Sequence, residues 1–183
     1  MGLLCWMLAA AASAETVTVE NISDGGWSVD EGTGCCAPTC YTPLVRTFDV
    51  ASEFSVARVR LGLTALCFRD EVRARLISPT GASIEIVNGS GGPYFDYDVL
   101  LDSSSSNPLD DGDDDNTFSP YYERVAAPST TLNAFAGLST SGTWTLEVCS
   151  TANFGHFIRA RLELESEELF SDGFESEDTD QWN

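Results

Sequence analysis

The 183-residue chain carries 29 Asp and Glu against nine Arg and no Lys, which gives a formal net charge of −20 at pH 7. Such a surface repels nucleic-acid phosphates and anionic lipid head groups, so the composition argues against both classes of partner. Hydrophobic residues make up 43% of the chain, which is enough for one folded domain with its own core.

Residues 1–14 predict a secretory signal peptide. An apolar run leads to the small residues Ala12, Ser13 and Ala14, which form a cleavage site before Glu15. The run is too short for a stable membrane span. We therefore expect the chain to be secreted or held at the cell surface, in an extracellular or periplasmic compartment.

Cleavage leaves five cysteines, and export favours their pairing as disulfides. They are Cys35, Cys36, Cys40, Cys67 and Cys149. The number is odd, so one thiol stays free or pairs between chains. Cys35 or Cys36 can close a small loop with Cys40, whereas a bond between adjacent cysteines would be strained. A zinc site is the weaker alternative, because the chain has a single histidine, His156.

Residues 15–165 predict an all-β domain, because short segments of alternating apolar and polar residues are separated by turn signals. The segments are 16–22, 54–63, 72–77, 83–88, 97–101, 143–149 and 157–165. The pattern favours an antiparallel, jelly-roll-like β-sandwich of about eight or nine strands. The short link at 66–71 predicts that the strands on either side of it are antiparallel neighbours. Residues 103–119 predict a polar surface loop, and 166–183 an acidic tail.

Three ordered motifs resemble the P domain, also called the P/Homo B domain, of proprotein convertases and bacterial subtilisin-like proteases. The first runs from Leu76 to Gly81 and spells Leu-Ile-Ser-Pro-Thr-Gly. The second is the Leu-x-x-Phe-x-Gly pattern from Leu132 to Gly137. The third is the Gly-x-Trp-x-Leu-x-Val pattern from Gly142 to Val148. Trp144 is expected to anchor the core between two sheets.

The resemblance implies a role without catalysis. In the protease families this domain packs against a subtilisin-like catalytic domain and supports its folding, stability and specificity. A catalytic domain has no room in 183 residues, so we expect a module that serves a subtilisin-like protease as a separate chain. The alternative is a free-standing recognition or adhesion domain at the cell surface, with a protein or glycan as its partner.

The chain departs from the family pattern at two places, and each has gained a cysteine. The family's His-Thr before a Gly-Asp-Leu turn is replaced by Leu66-Cys67, and its Val-x-Asp by Val148-Cys149-Ser150. From this comparison we expect a disulfide between Cys67 and Cys149.

An aspartate-rich loop is the candidate metal site. Its carboxylates are Asp110, Asp111, Asp113, Asp114 and Asp115, with Asp102 shortly before them. So many carboxylates repel one another unless a cation lies between them, and calcium accepts several oxygen ligands in loose geometry. Calcium is therefore the predicted cofactor. The alternative is a solvated acidic loop without a metal ion.

Six of the nine arginines form pairs spaced by two residues on predicted strands. The pairs are Arg58 with Arg60, Arg73 with Arg75, and Arg159 with Arg161. Each pair projects from one face of its strand. Neighbouring strands would join the pairs into a cationic face that binds an acidic partner or the tail. The alternative is cross-strand pairing with Glu85, Glu147, Glu163 and Glu165.

Evidence for catalysis is weak. A serine-protease triad would need His156 as its base, and the sequence contains neither a Gly-x-Ser-x-Gly elbow nor a subtilisin motif. Carboxylates for glycoside hydrolysis are abundant, but no particular pair stands out. We therefore predict no catalytic residues.

Overall fold

The computed structural model describes residues 14–27, 43–150 and 155–167. These residues form ten strands: β1 Thr16–Asn21, β2 Gly25–Trp27, β3 Leu44–Val50, β4 Val56–Phe68, β5 Val72–Ile77, β6 Ser83–Asn88, β7 Phe95–Asp102, β8 Arg124–Ala126, β9 Gly142–Ser150 and β10 Gly155–Ser166. Two short 3-10 helices, Arg69–Glu71 and Leu132–Phe135, are the only helical elements of this part of the chain. Neither of them is long or apolar enough to cross a membrane.

The strands form two sheets, which confirms the predicted all-β sandwich. One sheet has the order β1-β10-β4-β7-β8, with β2 also paired to β10, and the other has the order β3-β9-β5-β6. Every strand pair is antiparallel except β7 with β8, which is parallel over three residues. We call the two units the six-stranded and the four-stranded sheet.

Alternating side chains from both sheets fill the space between them. Trp144 on β9 is fully buried, its ring meets Phe135 edge-on at 5.1 Å between centroids, and its Nε1 donates to the carbonyl of Thr140 at 2.9 Å. A buried aromatic ring with a satisfied N–H is a stable core element. The predicted role of Trp144 is therefore confirmed.

The turns of the first and third motifs also have the expected geometry. Gly81, in the turn after β5, has φ +86°, and Gly142 at the start of β9 has φ +116°. A Cβ on Gly142 would lie 2.8 Å from Pro79. These motif positions therefore have structural roles.

Sequence pattern located most of the strands but not all of their partners. β5 and β6 have the predicted bounds, whereas β2, β3 and β8 were not predicted. The prediction that the strands flanking residues 66–71 are neighbours was wrong, because β4 and β5 belong to different sheets. The 3-10 helix Arg69–Glu71 carries the chain across the sandwich instead of closing a hairpin.

The two faces of β4 separate the core from the candidate site. Val59, Leu61, Leu63 and Ala65 point into the core and are at most 3% exposed. Arg58, Arg60, Thr64 and Leu66 alternate with them on the outer face. The same alternation continues to Phe68, so the outer face changes from charged to apolar toward the C-terminal end of the strand.

Candidate functional site

Two carboxylates of the acidic loop are held by arginines. Asp111 and Asp115 both contact Arg69, at 2.7 Å from Nη1 and 2.9 Å from Nη2. Arg124 contacts the same two carboxylates, at 3.1 Å for Asp111 and 2.7 Å for Asp115. Two cations and two anions therefore alternate in one cluster, which we call the Arg69 cluster.

The Arg69 cluster fastens the loop to the sheet. The Arg69 side chain is fully buried, its Nε donates to the carbonyl of Asp96, and its guanidinium lies 5.5 Å from the centre of the Tyr97 ring. Burial disfavours the charged form of Asp111, but the hydrogen bond from Arg69 and the charges of Arg124 and Arg69 outweigh this and lower its pKa. Sequence pattern did not predict this cluster, because Arg69 and Arg124 lie outside the predicted arginine pairs.

Asp102 lies apart from the acidic loop, at the end of β7. It pairs with Arg58 and accepts hydrogen bonds at 2.9 Å from the backbone N–H and the hydroxyl of Ser104. Burial raises the pKa of Asp102, but the Ser104 hydrogen bonds and the Arg58 guanidinium more than offset it, so the pKa lies below its usual value. Asp102 therefore has a structural partner of its own.

The remaining acids of the loop have no cationic partner among the described residues. Asp110 accepts from the N–H of Gly112, Asp113 from that of Asp114, and Asp114 from that of Phe95 at 2.6 Å. Within the described ranges no group of three or more His, Cys, Asp or Glu side chains is arranged to hold a metal ion. Calcium binding stays a prediction from sequence, and the carboxylates not engaged by arginine are these three.

The predicted arginine pairs do not form one surface. Arg58, Arg60, Arg159 and Arg161 lie on the outer face of the six-stranded sheet, whereas Arg73 and Arg75 lie on β5 in the four-stranded sheet. Because the two sheets stack face to face, their outer faces point in opposite directions. The expectation of a single cationic face was wrong.

Cross-strand pairing, the alternative for these arginines, is what the structure shows. Arg73 pairs with Glu85 at 3.2 Å, and Arg75 pairs with Glu147. On the other sheet, Arg60 and Arg161 share Glu163 at 2.9 and 2.7 Å, and Arg159 pairs with Glu20 at 2.9 Å. Carboxylates of the chain itself therefore neutralise these cations, and binding of an acidic partner by them stays a prediction from sequence.

Two tyrosines that were not singled out from the sequence cover the outer face of the six-stranded sheet. Arg159 lies 4.3 Å from the centre of the Tyr121 ring, and Arg161 lies 4.7 Å from that of Tyr122. Tyr122 is buried and has φ +65°, and its ring fills the space above Gly62 on β4. Burial raises the pKa of the Tyr122 hydroxyl.

Asp98 fixes this tyrosine segment to the sheet. It is 5% exposed, and its Oδ1 accepts from the Thr64 hydroxyl at 2.7 Å and from the N–H of Tyr122 at 3.0 Å. Burial raises the pKa of Asp98, although both hydrogen bonds act in the opposite direction. The buried carboxylate is therefore a positioning group for residues 119–123.

The cysteines do not pair as expected. Cys67 is a buried free thiol, and burial raises its pKa. Its side chain faces the core on β4, while Cys149 lies on β9 of the opposite sheet and is disulfide-bonded. The predicted Cys67–Cys149 disulfide was wrong, because the inference placed both residues in adjoining loops and each lies within a strand. Cys35, Cys36 and Cys40 lie outside the described residues, as do most of the predicted signal peptide and the acidic tail.

His156 pairs with Asp24, near the start of β10. Both side chains are exposed, the histidine by 45% and the aspartate by 72%. The pair joins the turn before β2 to β10. A histidine oriented by a carboxylate resembles half of a triad, but no serine hydroxyl contacts His156 in the described part of the chain.

Three exposed apolar side chains lie near the C-terminal end of β4. Leu66 and Phe68 are each 40% exposed, and Phe95 on β7 is 45% exposed. The rings of Phe68 and Phe95 contact each other, with centroids 4.6 Å apart. We call these three side chains the end patch.

An unusual backbone conformation at Asp96 places Phe95 in the end patch. Strict alternation would send Phe95 to the same side as Tyr97, which is fully buried. Asp96 instead has φ +60°, opposite a register shift between Ala65 and Phe68. Its carboxylate accepts from the N–H of Cys67 at 2.9 Å, and its carbonyl accepts from Arg69. A non-glycine residue in this region is strained, and such strain is concentrated at functional sites.

Comparisons with known proteins give structural likeness only. No family model matches the chain, and no curated protein matches it. The fold is similar to that of the serine protease of Aeromonas sobria, with a TM-score of 0.45 and 16% identity. A complex of that protease with a chaperone gives a TM-score of 0.46 and 17% identity. Each match covers 84% of this chain and 27% of the other, so this chain spans about a quarter of the length of the matched chain.

Proposed function

We propose that the chain is an exported, non-catalytic binding module of the P-domain type that serves a subtilisin-like serine protease and contacts it through the end patch. The observation that carries the proposal is the exposed Phe68–Phe95 ring pair, held in place by the strained Asp96. Exposed apolar side chains gathered in one place mark interaction sites on soluble proteins.

The end patch has the properties of a binding anchor. Aromatic side chains contribute much of the energy of protein interfaces because they bury a large area with few rotatable bonds. The Arg69 cluster and the Asp96 carboxylate fix the backbone on both sides of the ring pair. A site that is already ordered loses little conformational entropy on binding.

The motifs from Leu76 to Gly81, Leu132 to Gly137 and Gly142 to Val148 support the assignment to a protease-associated module. In the P-domain proteases this module packs against the catalytic domain, and we propose that this chain contacts a protease of that type. Its role would be to stabilise the protease.

The test is capture from secreted material by the immobilised full chain, followed by identification of the bound proteins by mass spectrometry. We expect a subtilisin-like protease that is retained by the wild type, is lost with Phe95→Ser and Phe68→Ser, and becomes more resistant to thermal inactivation when the chain is added. Val45→Ser is the matched control, because Val45 is 46% exposed on β3 of the other sheet.

Two results would contradict the proposal. Retention of a protease equally by all variants would show that the end patch is not the contact. Binding of glycans that depends on Phe68 and Phe95, with no protease retained, would favour the free-standing recognition domain.

A further inference from the structure

We infer that the partner segment seated on the end patch carries Arg or Lys side chains on either side of one or two large apolar residues; this inference rests on the proposed function. The end patch combines an apolar centre with carboxylates that have no cation of their own: Asp113 and Asp114 on the loop hydrogen-bonded to Phe95, and Asp70 two residues after Phe68, which we call the rim. An acidic rim around aromatic rings fits a basic, apolar strand or loop.

The rim is built by two segments. Asp70 is exposed, two residues after Phe68. Asp113 and Asp114 are exposed on the acidic loop, and the Asp114 carboxylate accepts the N–H of Phe95 at 2.6 Å. The N–H of Asp115 in turn donates to the carbonyl of Phe95 at 3.2 Å. These two hydrogen bonds hold the loop directly against the apolar centre.

The arginines near the rim are already engaged. Arg69 follows Phe68 in sequence, but it is buried and shared between Asp111 and Asp115. Arg124 binds the same two carboxylates. Among the described residues, no arginine or histidine pairs with Asp70, Asp113 or Asp114.

The charge of the rim is therefore uncompensated, and it belongs to a chain of net charge −20. A basic segment gains attraction to Asp70, Asp113 and Asp114. An acidic segment meets repulsion at the same positions. The sign of the partner's charge follows from this arrangement.

The size of the apolar centre sets the number of apolar anchors. Three side chains, each exposed by 40 to 45%, form the centre, and two of them are rings in contact. Because only three side chains form the centre, we expect the partner to bring one or two large apolar anchors rather than a continuous apolar face. Specificity then depends on basic residues placed beside those anchors.

Three synthetic peptides of equal length test the inference with the full chain. The first alternates Arg with Leu and Phe, the second has Glu in place of Arg, and the third has Ser in place of Leu and Phe. Fluorescence anisotropy at low and high salt measures binding. We expect only the first peptide to bind measurably, and its affinity to fall as salt increases.

Charge variants test the rim itself. Combined Asp70→Asn, Asp113→Asn and Asp114→Asn keep the side-chain acceptors for backbone N–H groups and remove three charges. We expect about tenfold weaker binding at low salt and a reduced salt dependence. Phe95→Ser should abolish binding of the first peptide. Glu53→Gln, at an exposed acid before β4, is the control and should leave affinity unchanged.

The outcomes separate the inference from the proposed function. The inference is overturned if the Glu peptide or the Ser peptide binds as tightly as the Arg peptide. It is also overturned if the charge variants bind the Arg peptide as tightly as the wild type does. If the protease still depends on Phe68 and Phe95 in those cases, the proposed function stands. If peptide binding does not depend on charge and protease binding does not depend on Phe68 and Phe95, both the inference and the proposed function are rejected.

Discussion

Arg69 and Asp115 form the least exposed ion pair of the described residues. Nη2 of Arg69 lies 2.9 Å from Oδ1 of Asp115, and the two side chains are 0% and 7% exposed. Because the same guanidinium also holds Asp111 and the carbonyl of Asp96, it joins the acidic loop to the strained residue beside Phe95. Removal of one partner from a buried pair leaves the other charge buried without compensation.

Removing the cation should therefore be costly. Arg69→Met would leave Asp115 and Asp111 with Arg124 alone, and we expect the free energy of unfolding to fall by about 3–5 kcal/mol. Arg75→Met is the matched control, because Arg75 is 52% exposed beside Glu147 and its loss should cost at most about 1 kcal/mol. Urea denaturation measures both. If both substitutions lower the free energy of unfolding by the same small amount, the Arg69 cluster does not stabilise the attachment of the acidic loop to the sheet.

Sequence pattern predicted the sandwich well because two-residue alternation directly reports which side of a strand is buried. This succeeded for β5 and β6, where Val72, Ala74 and Leu76, and then Ile84 and Ile86, are buried and alternate with more exposed polar residues. It missed β3, although Phe48 and Val50 alternate with Thr47 and Asp49 there, because the neighbouring Cys- and Gly-rich stretch favoured a turn region.

The candidate site could not be predicted in the same way. Alternation assigns Phe95 to the core with Tyr97, and only the positive φ of Asp96 turns it outward. Which arginine meets which aspartate depends on tertiary contacts 42 residues apart in the case of Arg69 and Asp111. Composition showed the acidic loop, but not that two of its carboxylates bind the buried Arg69 and the partly buried Arg124.

The Tyr122 ring packs so closely against Gly62 that it leaves no room for a side chain at position 62. A Cβ at Gly62 would lie 2.8 Å from the ring, so we expect Gly62→Ala to destabilise the fold by about 1–3 kcal/mol. In a Tyr122→Gly background, which also suits the positive φ there, most of that cost should disappear. Gly26→Ala is the control, since its Cβ would meet nothing closer than 3.5 Å. A cost of Gly62→Ala that is the same in both backgrounds would exclude the ring as its cause.

The thiol of Cys67 should be inaccessible until the protein unfolds. Burial on β4 both blocks reagents and raises the pKa of the thiol. We expect iodoacetamide to label Cys67 only in denaturant, and Cys149 only after reduction, because Cys149 is disulfide-bonded. Peptide mapping by mass spectrometry distinguishes the two sites. Labelling of Cys149 in unreduced, denatured protein would contradict the assignment.

Calcium should have little effect on stability if arginines already neutralise the acidic loop. Asp111 and Asp115 are engaged by Arg69 and Arg124, so we expect the melting temperature to be the same in calcium and in a chelator. Differential scanning calorimetry makes the comparison. A rise of the melting temperature in calcium that Asp113→Asn abolishes would instead establish the calcium site predicted from sequence.

Asp98 and Asp102 should make opposite contributions to the pH dependence of stability. The pKa of Asp98 is raised above 3.8 by burial, so the folded state binds its proton more tightly than the unfolded chain does. The charged Asp98 therefore does not destabilise the fold at a pH below its ordinary pKa of 3.8. The destabilisation develops as the pH rises through the folded-state pKa. The pKa of Asp102 is lowered despite burial, by the Ser104 hydrogen bonds and by Arg58. Its stabilising contribution is present above 3.8 and is lost as the pH falls through the folded pKa.

Replacement by asparagine removes each titration while it keeps an oxygen that can accept the hydrogen bonds to the backbone. From acidic to neutral pH we expect Asp98→Asn to gain stability relative to the wild type, because the wild type develops an unfavourable buried charge. Over the same range Asp102→Asn should lose stability relative to the wild type. Urea unfolding at a series of pH values measures both differences. If both variants change in stability in the same direction relative to the wild type, burial does not govern the ionisation of Asp98. Residues 119–123 would then need another anchoring residue on β7.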